Sequence, residues 1–218
     1  MVSACSSIKN TSEPSRKMFT GTILYDVQIN SILKDSTLIK TKKSKYGNEM
    51  SLTFFKNGDI LRKYNGASPE GFNEYYINVG EELILEHSPA SDTIIEFNAT
   101  QENIKKLNSL RDNDTAVSVL EFTCDEIAFT AEEIDKQTHA KKYLTVKYWY
   151  SDQVRVYYTN YTSINTDLWA YLLKQSNGGI FLKYEINYFD YSVVFTAKEI
   201  RKKDFFEDDA AVGVFITQ

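Results

Sequence analysis

The feature that most constrains this chain is a short amphipathic helix pattern set between long alternating segments in its last third. Two alternating stretches come first, KYLTVKYWYS and QVRVYYTN; the helix pattern NTDLWAYLLKQSNGG follows, and then GIFLKYEINYF and DYSVVFTAKEI. Alternation with a period of two is typical of antiparallel strands with one buried face. A lone helix between such strands must bury its apolar stripe on the sheet. The pattern therefore predicts a curved sheet closed on one side by a helix.

The helix pattern has recognisable ends. Over residues 165–176, Asn165 or Thr166 is expected to cap the helix, and Asp167 places negative charge at its N-terminus. Gly178 and Gly179 are suited to ending it.

One apolar stripe of this helix contains Trp169, Leu172 and Leu173. The stripe has two interpretations: it fills the core beneath the helix, or it forms one wall of a lipophilic pocket. On the second interpretation, the opposite wall comes from inward residues of the first strand, such as Ile23 and Tyr25. These five residues are the predicted ligand-binding residues.

Strand patterns dominate the rest of the chain. Alternation is clear over residues 19–29, and Thr93–Asn98 is a further short strand. Asn57-Gly58 lies between two alternating stretches, which predicts a hairpin with a type I′ turn. A second hairpin is expected around Gly80.

Other segments carry weaker patterns. The spacing of apolar residues over 100–110 favours a second short helix. Residues 31–46 are rich in lysine, which favours an exposed basic connection or edge strand. Strands are expected on either side of Cys124, and a polar loop is expected over 132–142.

Length and composition fit one β-rich domain. The 218 residues include 15 Tyr and 13 Phe but only 3 Pro, and aromatic residues favour half-buried pleated surfaces. We expect residues 1–17 to form a disordered tether and residues 18–218 a single domain. The predicted fold class is mainly β (α+β): a strongly curved antiparallel sheet or half-barrel, with one or two helices on the concave side. A closed, lipocalin-like barrel is the alternative.

Charge and motif content argue against several classes of function. The net charge of −5 is unlike that of a nucleic-acid binder and gives no reason to expect a general attraction to anionic membranes. The sequence has no HExxH, P-loop, GxGxxG or GxSxG motif. We expect no catalytic residue, no metal site and no cofactor; an enzyme would need a convergent polar cluster, such as His87 with carboxylates from another strand.

The N-terminal residues VSAC match the end of a bacterial lipobox, with Cys5 as the lipidated residue and Ser6–Lys17 as a tether. The alternative is an ordinary polar N-terminus that carries a cysteine. On the first interpretation the protein is a lipoprotein of the bacterial cell envelope, facing the periplasm and held at the outer membrane, with no membrane contact beyond that lipid anchor.

Tyrosines crowd the later strands, notably Tyr148, Tyr150, Tyr157 and Tyr158. Rings with polar tips suit the mouth of an apolar cavity, or an exposed surface that contacts a protein or a glycan. Cross-strand ring pairs that only stabilise the sheet are the other explanation.

The order of elements resembles a known family. FTGTILYDVQI is followed by YGNEMSLTFFKNGDILRKYNG, VSVLEFTCDEIAFTAEE, YLTVKYWYS, the helix ending at GG, and KEIRKKDFFEDDAAVGVFI. This order, over most of residues 19–217, is similar to that of uncharacterised periplasmic or lipidated proteins of Bacteroidetes whose fold resembles the lipoprotein carriers LolA and LolB. The chain has fewer predicted helices than those carriers.

The resemblance implies a half-barrel whose concave side is covered by helices and whose cavity takes acyl chains. The expected function is therefore non-catalytic binding of a lipid or other hydrophobic ligand. An envelope or surface module that contacts a protein or glycan through exposed aromatic residues is the alternative.

Overall fold

The computed structural model describes residues 18–66, 73–88, 93–110, 117–134 and 140–203. The predicted tether, including Cys5, and residues 204–218 lie outside them, so the predicted limits of the domain stay a prediction. The described residues form twelve strands and two α-helices: β1 (Gly21–Ser31), α1 (Ser36–Tyr46), β2 (Glu49–Phe54), β3 (Ile60–Tyr64), β4 (Glu74–Asn78), β5 (Leu83–Ser88), β6 (Thr93–Asn98), β7 (Ile104–Ser109), β8 (Val117–Val119), β9 (Phe122–Ile134), β10 (Lys141–Arg155), α2 (Trp169–Gln175), β11 (Gly179–Asn187) and β12 (Tyr191–Lys202).

The strands form one open antiparallel sheet. Their order is β6-β5-β4-β3-β2-β1-β12-β11-β10-β9-β7, and β8 pairs with β9 beside this path. Among the described strands, β6 and β7 are the two free ends of the order, so the sheet does not close. The predicted fold class, a curved antiparallel sheet with few helices, is confirmed, and the closed barrel is wrong. Neither described helix is long and apolar enough to cross a membrane.

The main core lies on one face of this sheet, and Phe55, Leu61 and Tyr76 form a separate, smaller buried cluster. Alternate residues of β1, from Ile23 to Ile29, are buried, as the sequence predicted. Residues directly opposite in antiparallel strands share a face. The register pairs Tyr25 of β1 with Met50 of β2, and Val27 of β1 with Phe195 of β12. Pairs on the same face follow in the next strands on both sides. We call this face the concave face.

The β2–β3 hairpin is present where Asn57-Gly58 predicted it, but its turn differs. Gly58 has φ 98°, whereas Asn57 does not have a positive φ. The Phe55 N–H donates to the Asp59 carbonyl at 2.9 Å, and the Gly58 N–H donates to the Phe55 carbonyl at 3.1 Å. The type I′ prediction is therefore wrong, because a three-residue loop with one glycine in the left-handed region joins the strands.

Residues 31–46 contain α1 rather than a basic connection or edge strand. The Asp35 carboxylate accepts hydrogen bonds from the backbone N–H groups of Thr37 (2.8 Å) and Leu38 (3.0 Å), which caps the helix. Gly47, with φ 69°, ends it. No residue of α1 is buried, so the helix lacks the apolar stripe by which sequence patterns reveal helices.

The predicted second helix over 100–110 is also wrong, because residues Ile104–Ser109 form β7. Ile104 is buried and pairs with Glu133 of β9, whereas Leu107 is exposed. Pairing with β9 overrides the helical spacing. The same long strand contains Cys124, which was expected in a connection. The first of the two strands predicted before the helix and the start of the second form a single strand, β10, which ends at Arg155. The rest of the second predicted strand is not a strand, and a 3₁₀ turn forms at Tyr158–Tyr161.

Candidate ligand-binding cavity

A cavity of about 430 Å³ lies on the concave face, between the sheet and both helices. Tyr46 of α1 and Trp169 of α2 contribute to its wall. Most of the other lining residues come from β2–β6 on one arm of the sheet and from β7 and β9–β12 on the other. Cavities of several hundred Å³ are typical of sites for small molecules.

Aromatic rings cluster in the inner wall. Trp169 packs edge-to-face on Phe54, with ring centroids 6.2 Å apart, and lies 6.5 Å from Phe181. Tyr184 lies between Phe181 (5.2 Å) and Phe195 (6.1 Å, stacked). Tyr184 pairs with Phe195 across β11 and β12, so Tyr184 belongs both to a cross-strand ring pair and to the cavity wall.

The tyrosines of the wall remain neutral. Burial raises the pKa of Tyr46 to about 12 and that of Tyr64 to about 12. Burial also raises the pKa of Tyr148, whose hydroxyl lies 2.8 Å from the Gly179 carbonyl and donates to it. At neutral pH the wall therefore offers rings and uncharged hydroxyls.

One ion pair lies in this aromatic wall. The Arg62 guanidinium donates to the Asp167 carboxylate at 2.9 Å and lies over the Tyr75 ring at 4.6 Å. Burial acts to lower the Arg62 pKa, but its neighbours, including the hydrogen-bonded Asp167 carboxylate, raise it above its ordinary value. Arg62 is therefore a permanent positive charge.

Asp167 joins the two arms of the open sheet. Arg62 belongs to β3 on one arm, and Asn103 immediately precedes β7 at the edge of the other. Asn103 Nδ2 donates to the Asp167 carboxylate at 2.8 Å, and the Asp167 N–H donates back to Asn103 Oδ1 at 2.7 Å. This bridge connects the two arms through residues that line the cavity.

The backbone at this bridge is strained. Asp167 (φ 50°) and Leu168 (φ 61°) both adopt left-handed conformations just before α2 begins at Trp169. Such conformations cost about 1–2 kcal/mol for non-glycine residues and persist where surrounding contacts impose them. Here they bring the Asp167 carboxylate and the Trp169 ring to the same cavity.

The helix prediction for 165–176 is right in place but wrong at its start. A 3₁₀ turn at Thr166–Leu168 precedes α2, and neither Asn165 nor Thr166 caps it with a side chain. Instead, their backbone N–H groups donate to the Ala99 carbonyl at 3.0 and 3.1 Å. This segment is thus attached to the β6–β7 connection, a long-range contact that local sequence does not encode.

Two hydrogen-bond donors of the lining have no partner among the described residues. They are Trp169 Nε1 and Arg62 Nε, and both atoms are buried. A buried donor without an acceptor costs about 1–3 kcal/mol.

Charged residues line the open side of the cavity. Lys45 and Lys142 are exposed, and Lys42 is half-buried with Nζ 4.4 Å above the Tyr191 ring. Burial and the nearby charges of Lys45 and Lys142 lower the Lys42 pKa. Glu133 adds one negative charge to this rim.

The five predicted ligand-binding residues fall into two groups. Trp169 and Leu172 line the cavity. Leu173, Ile23 and Tyr25 are fully enclosed beside it and are not part of the described lining. Whether any of the five contacts a ligand stays a prediction.

The sequence patterns did not single out Arg62, Asp167 as a bridge, or Asn103. Arg62 pairs with Leu52 and with Tyr75, so it occupies an inward position of an alternating strand. A charged residue at an inward position was the signal in the sequence that could have identified Arg62 as part of the site. The identity of its partner depends on the strained turn before α2.

A second polar cluster lies on the opposite face of the sheet. Glu74 accepts from Lys63 Nζ at 2.8 Å and contacts His87 Nδ1 at 3.0 Å. Burial acts to raise the Glu74 pKa, but the hydrogen bonds from Lys63 and His87 outweigh it and the pKa is lowered. Among the described residues, no group of His, Cys, Asp and Glu is arranged to hold a metal ion.

The tyrosines expected at a contact surface are mostly enclosed. Tyr148 is buried, Tyr150 and Tyr158 are half-buried, and Tyr157 is 58% exposed. The hydroxyls of Tyr148 and Tyr161 donate to backbone carbonyls. These observations favour the cavity over an exposed aromatic surface.

The chain has structural likenesses among solved proteins. No family model matches the chain, and no curated protein matches it. Three chains of solved structures match. One is the crystal structure of LprF from Mycobacterium bovis, with 10% sequence identity and a TM-score of 0.35; the match covers 83% of this chain and 85% of that chain. Because both values are low, the assignment of function rests on the geometry of the cavity.

Proposed function

We propose that this protein is a non-catalytic binding protein of the bacterial cell envelope that holds a hydrophobic or amphiphilic small molecule in the cavity between its sheet and its two helices. The observation that carries the proposal is the cavity of about 430 Å³ with an aromatic inner wall. Aromatic rings provide large, rigid apolar surfaces that favour such ligands. The envelope location rests on the lipobox-like residues that end at Cys5.

The polar groups of the wall refine the kind of ligand. The tyrosine hydroxyls of the wall are neutral and can donate hydrogen bonds. A ligand with a mainly apolar body and an acceptor atom suits both the rings and these hydroxyls.

The two tryptophans of the chain provide a direct test. Trp169 lines the cavity, whereas Trp149 lies on the opposite face beneath Lys183, whose Nζ is 4.5 Å from its ring. Trp149→Phe therefore leaves one reporter in the cavity. Trp169→Phe leaves one reporter on the opposite face and is the matched control.

Each variant is titrated with the neutral hydrophobic fluorophore N-phenyl-1-naphthylamine. We expect saturable binding by both variants, with stronger quenching of Trp169 in Trp149→Phe than of Trp149 in Trp169→Phe, because energy transfer falls steeply with distance. Native mass spectrometry of the protein from its bacterial host should also show a co-purified hydrophobic molecule. Absence of saturable binding, together with a ligand-free mass, would overturn the proposal.

A further inference from the structure

Three large apolar side chains are exposed at one end of the sheet. Ile32 is 64% exposed, Leu33 is 70% exposed and Phe189 is 89% exposed. Ile32 and Leu33 follow β1, and Phe189 lies in the β11–β12 turn. The two turns are adjacent, because the Ile32 N–H donates to the Asp190 carbonyl at 3.0 Å. We call these three residues the apolar tip.

A basic helix begins directly after the apolar tip. Helix α1 carries Lys40, Lys42, Lys43 and Lys45 and contains no acidic residue. Within the described parts of the chain, no ion pair joins these lysines to a carboxylate. The chain as a whole has a net charge of −5, so this positive charge is local.

Apolar side chains beside a cluster of lysines match an anionic bilayer. Insertion of exposed apolar residues and attraction of lysines to anionic head groups act together in peripheral binding. Clustered exposed apolar side chains often mark a site of contact with a membrane or a protein. The charge complementarity selects anionic lipid as the partner.

We propose that this end of the molecule docks on an anionic membrane surface, with the apolar tip inserted and α1 against the head groups. Docking would place the cavity next to the bilayer. Ser31, the residue before the tip, pairs with Tyr191, and both Tyr191 and Lys42 line the cavity. The inference goes beyond the proposed function, because docking requires no ligand in the cavity.

Vesicle co-sedimentation of the full chain, without lipidation of Cys5, tests the docking. We expect binding to vesicles of phosphatidylcholine mixed with phosphatidylglycerol, weakening as salt is added, and little binding to phosphatidylcholine alone. Equal binding to both kinds of vesicle, or no binding to either, would overturn the proposal.

Matched variants locate the surface. Phe189→Ser should lower the partition coefficient about tenfold or more, since an inserted aromatic ring is lost. Leu120→Ser is its control, because Leu120 is 43% exposed in the β8–β9 turn at the other end of the sheet. An equal loss in both variants, or no loss in Phe189→Ser, would contradict the proposed surface.

The lysines are tested in the same way. Lys40→Gln with Lys43→Gln removes two exposed charges of α1 that do not line the cavity. We expect about a tenfold loss of binding to anionic vesicles. The control pair, Lys174→Gln with Lys202→Gln, lies on α2 and at the far end of β12, and should bind like the wild type.

Two further measurements separate other outcomes. Binding of N-phenyl-1-naphthylamine should be unchanged in all these variants. If the protein does not bind vesicles but still binds the dye, the docking proposal is overturned and the cavity proposal is not affected. Sedimentation velocity reports whether a second copy covers the tip. If the wild type is a dimer and Phe189→Ser is a monomer, a second copy of the chain covers the apolar tip, and the membrane proposal is overturned.

Discussion

The two helices lie on the same concave face but are attached to it in different ways. Helix α2 buries Trp169, Leu172 and Leu173, and the 3₁₀ turn before it is hydrogen-bonded to the β6–β7 connection. Helix α1 buries none of its residues and meets the core mainly through Tyr46, whose ring lies 5.5 Å from that of Tyr64.

This difference gives the two helices different roles on the same face of the sheet. Helix α2 forms part of the core and of the inner cavity wall, so changes in it should affect the folding of the whole sheet. Helix α1 forms the rim, so changes in it should open the cavity locally without unfolding the sheet.

The largest effect is expected for Leu173→Ala in α2. Leu173 is fully buried outside the described cavity lining, so its truncation removes core packing and should lower the free energy of unfolding by about 2–5 kcal/mol. Leu38→Ala in α1 is the matched control, with an expected loss of about 1 kcal/mol or less, because Leu38 is only half-buried. Urea denaturation measures both. Similar losses in the two helices would contradict the contrast.

A smaller effect is expected for Asp167→Asn. Asparagine tolerates the left-handed backbone at this position, so the change removes the charge that pairs with Arg62 and little else. The free energy of unfolding should fall by about 1–3 kcal/mol. Glu199→Gln, which breaks the exposed pair with Arg201, is the control and should leave the denaturation midpoint unchanged. If Asp167→Asn also unfolds at the wild-type midpoint, the bridge between the arms has no stabilising role.

The smallest effect is expected for Asp35→Ala. This change removes the cap of α1 and should cost the helix about 1 kcal/mol, which corresponds to roughly fivefold faster amide exchange in α1. Exchange in α2 should not change. Hydrogen–deuterium exchange measured by mass spectrometry distinguishes the helices, and acceleration in both would show that they open as one unit.

Strands were more predictable from sequence than helices, for a physical reason. The alternation of β1 directly records which residues enter the core, and the structure buries the expected set from Ile23 to Ile29. Helix α1 is held by a cap and by Tyr46 rather than by an apolar stripe, so its sequence resembles a solvated basic connection. In contrast, the 100–110 segment has helical spacing, but pairing with β9 determines its structure.

The candidate site was only partly accessible from sequence. The apolar stripe of α2 identified Trp169 and Leu172, because burial of a stripe is a local property. The Arg62–Asp167–Asn103 bridge combines three distant segments. It also depends on left-handed backbone at Asp167 and Leu168, which cannot be recognised from sequence because neither residue is a glycine. Such contacts form when the two sides of the sheet come together on the concave face, and no local sequence pattern encodes them.

The pairing of β1 with β12 at the middle of the sheet has a consequence for biosynthesis. Strands β1–β6 form a meander that can assemble as soon as it is made, but the second edge of β1 has no partner until β12 has left the ribosome. Contacts between such distant parts of a chain slow folding, and an open strand edge invites association with other chains. A nascent chain of this kind is therefore expected to depend on chaperones that shield that edge until synthesis is complete.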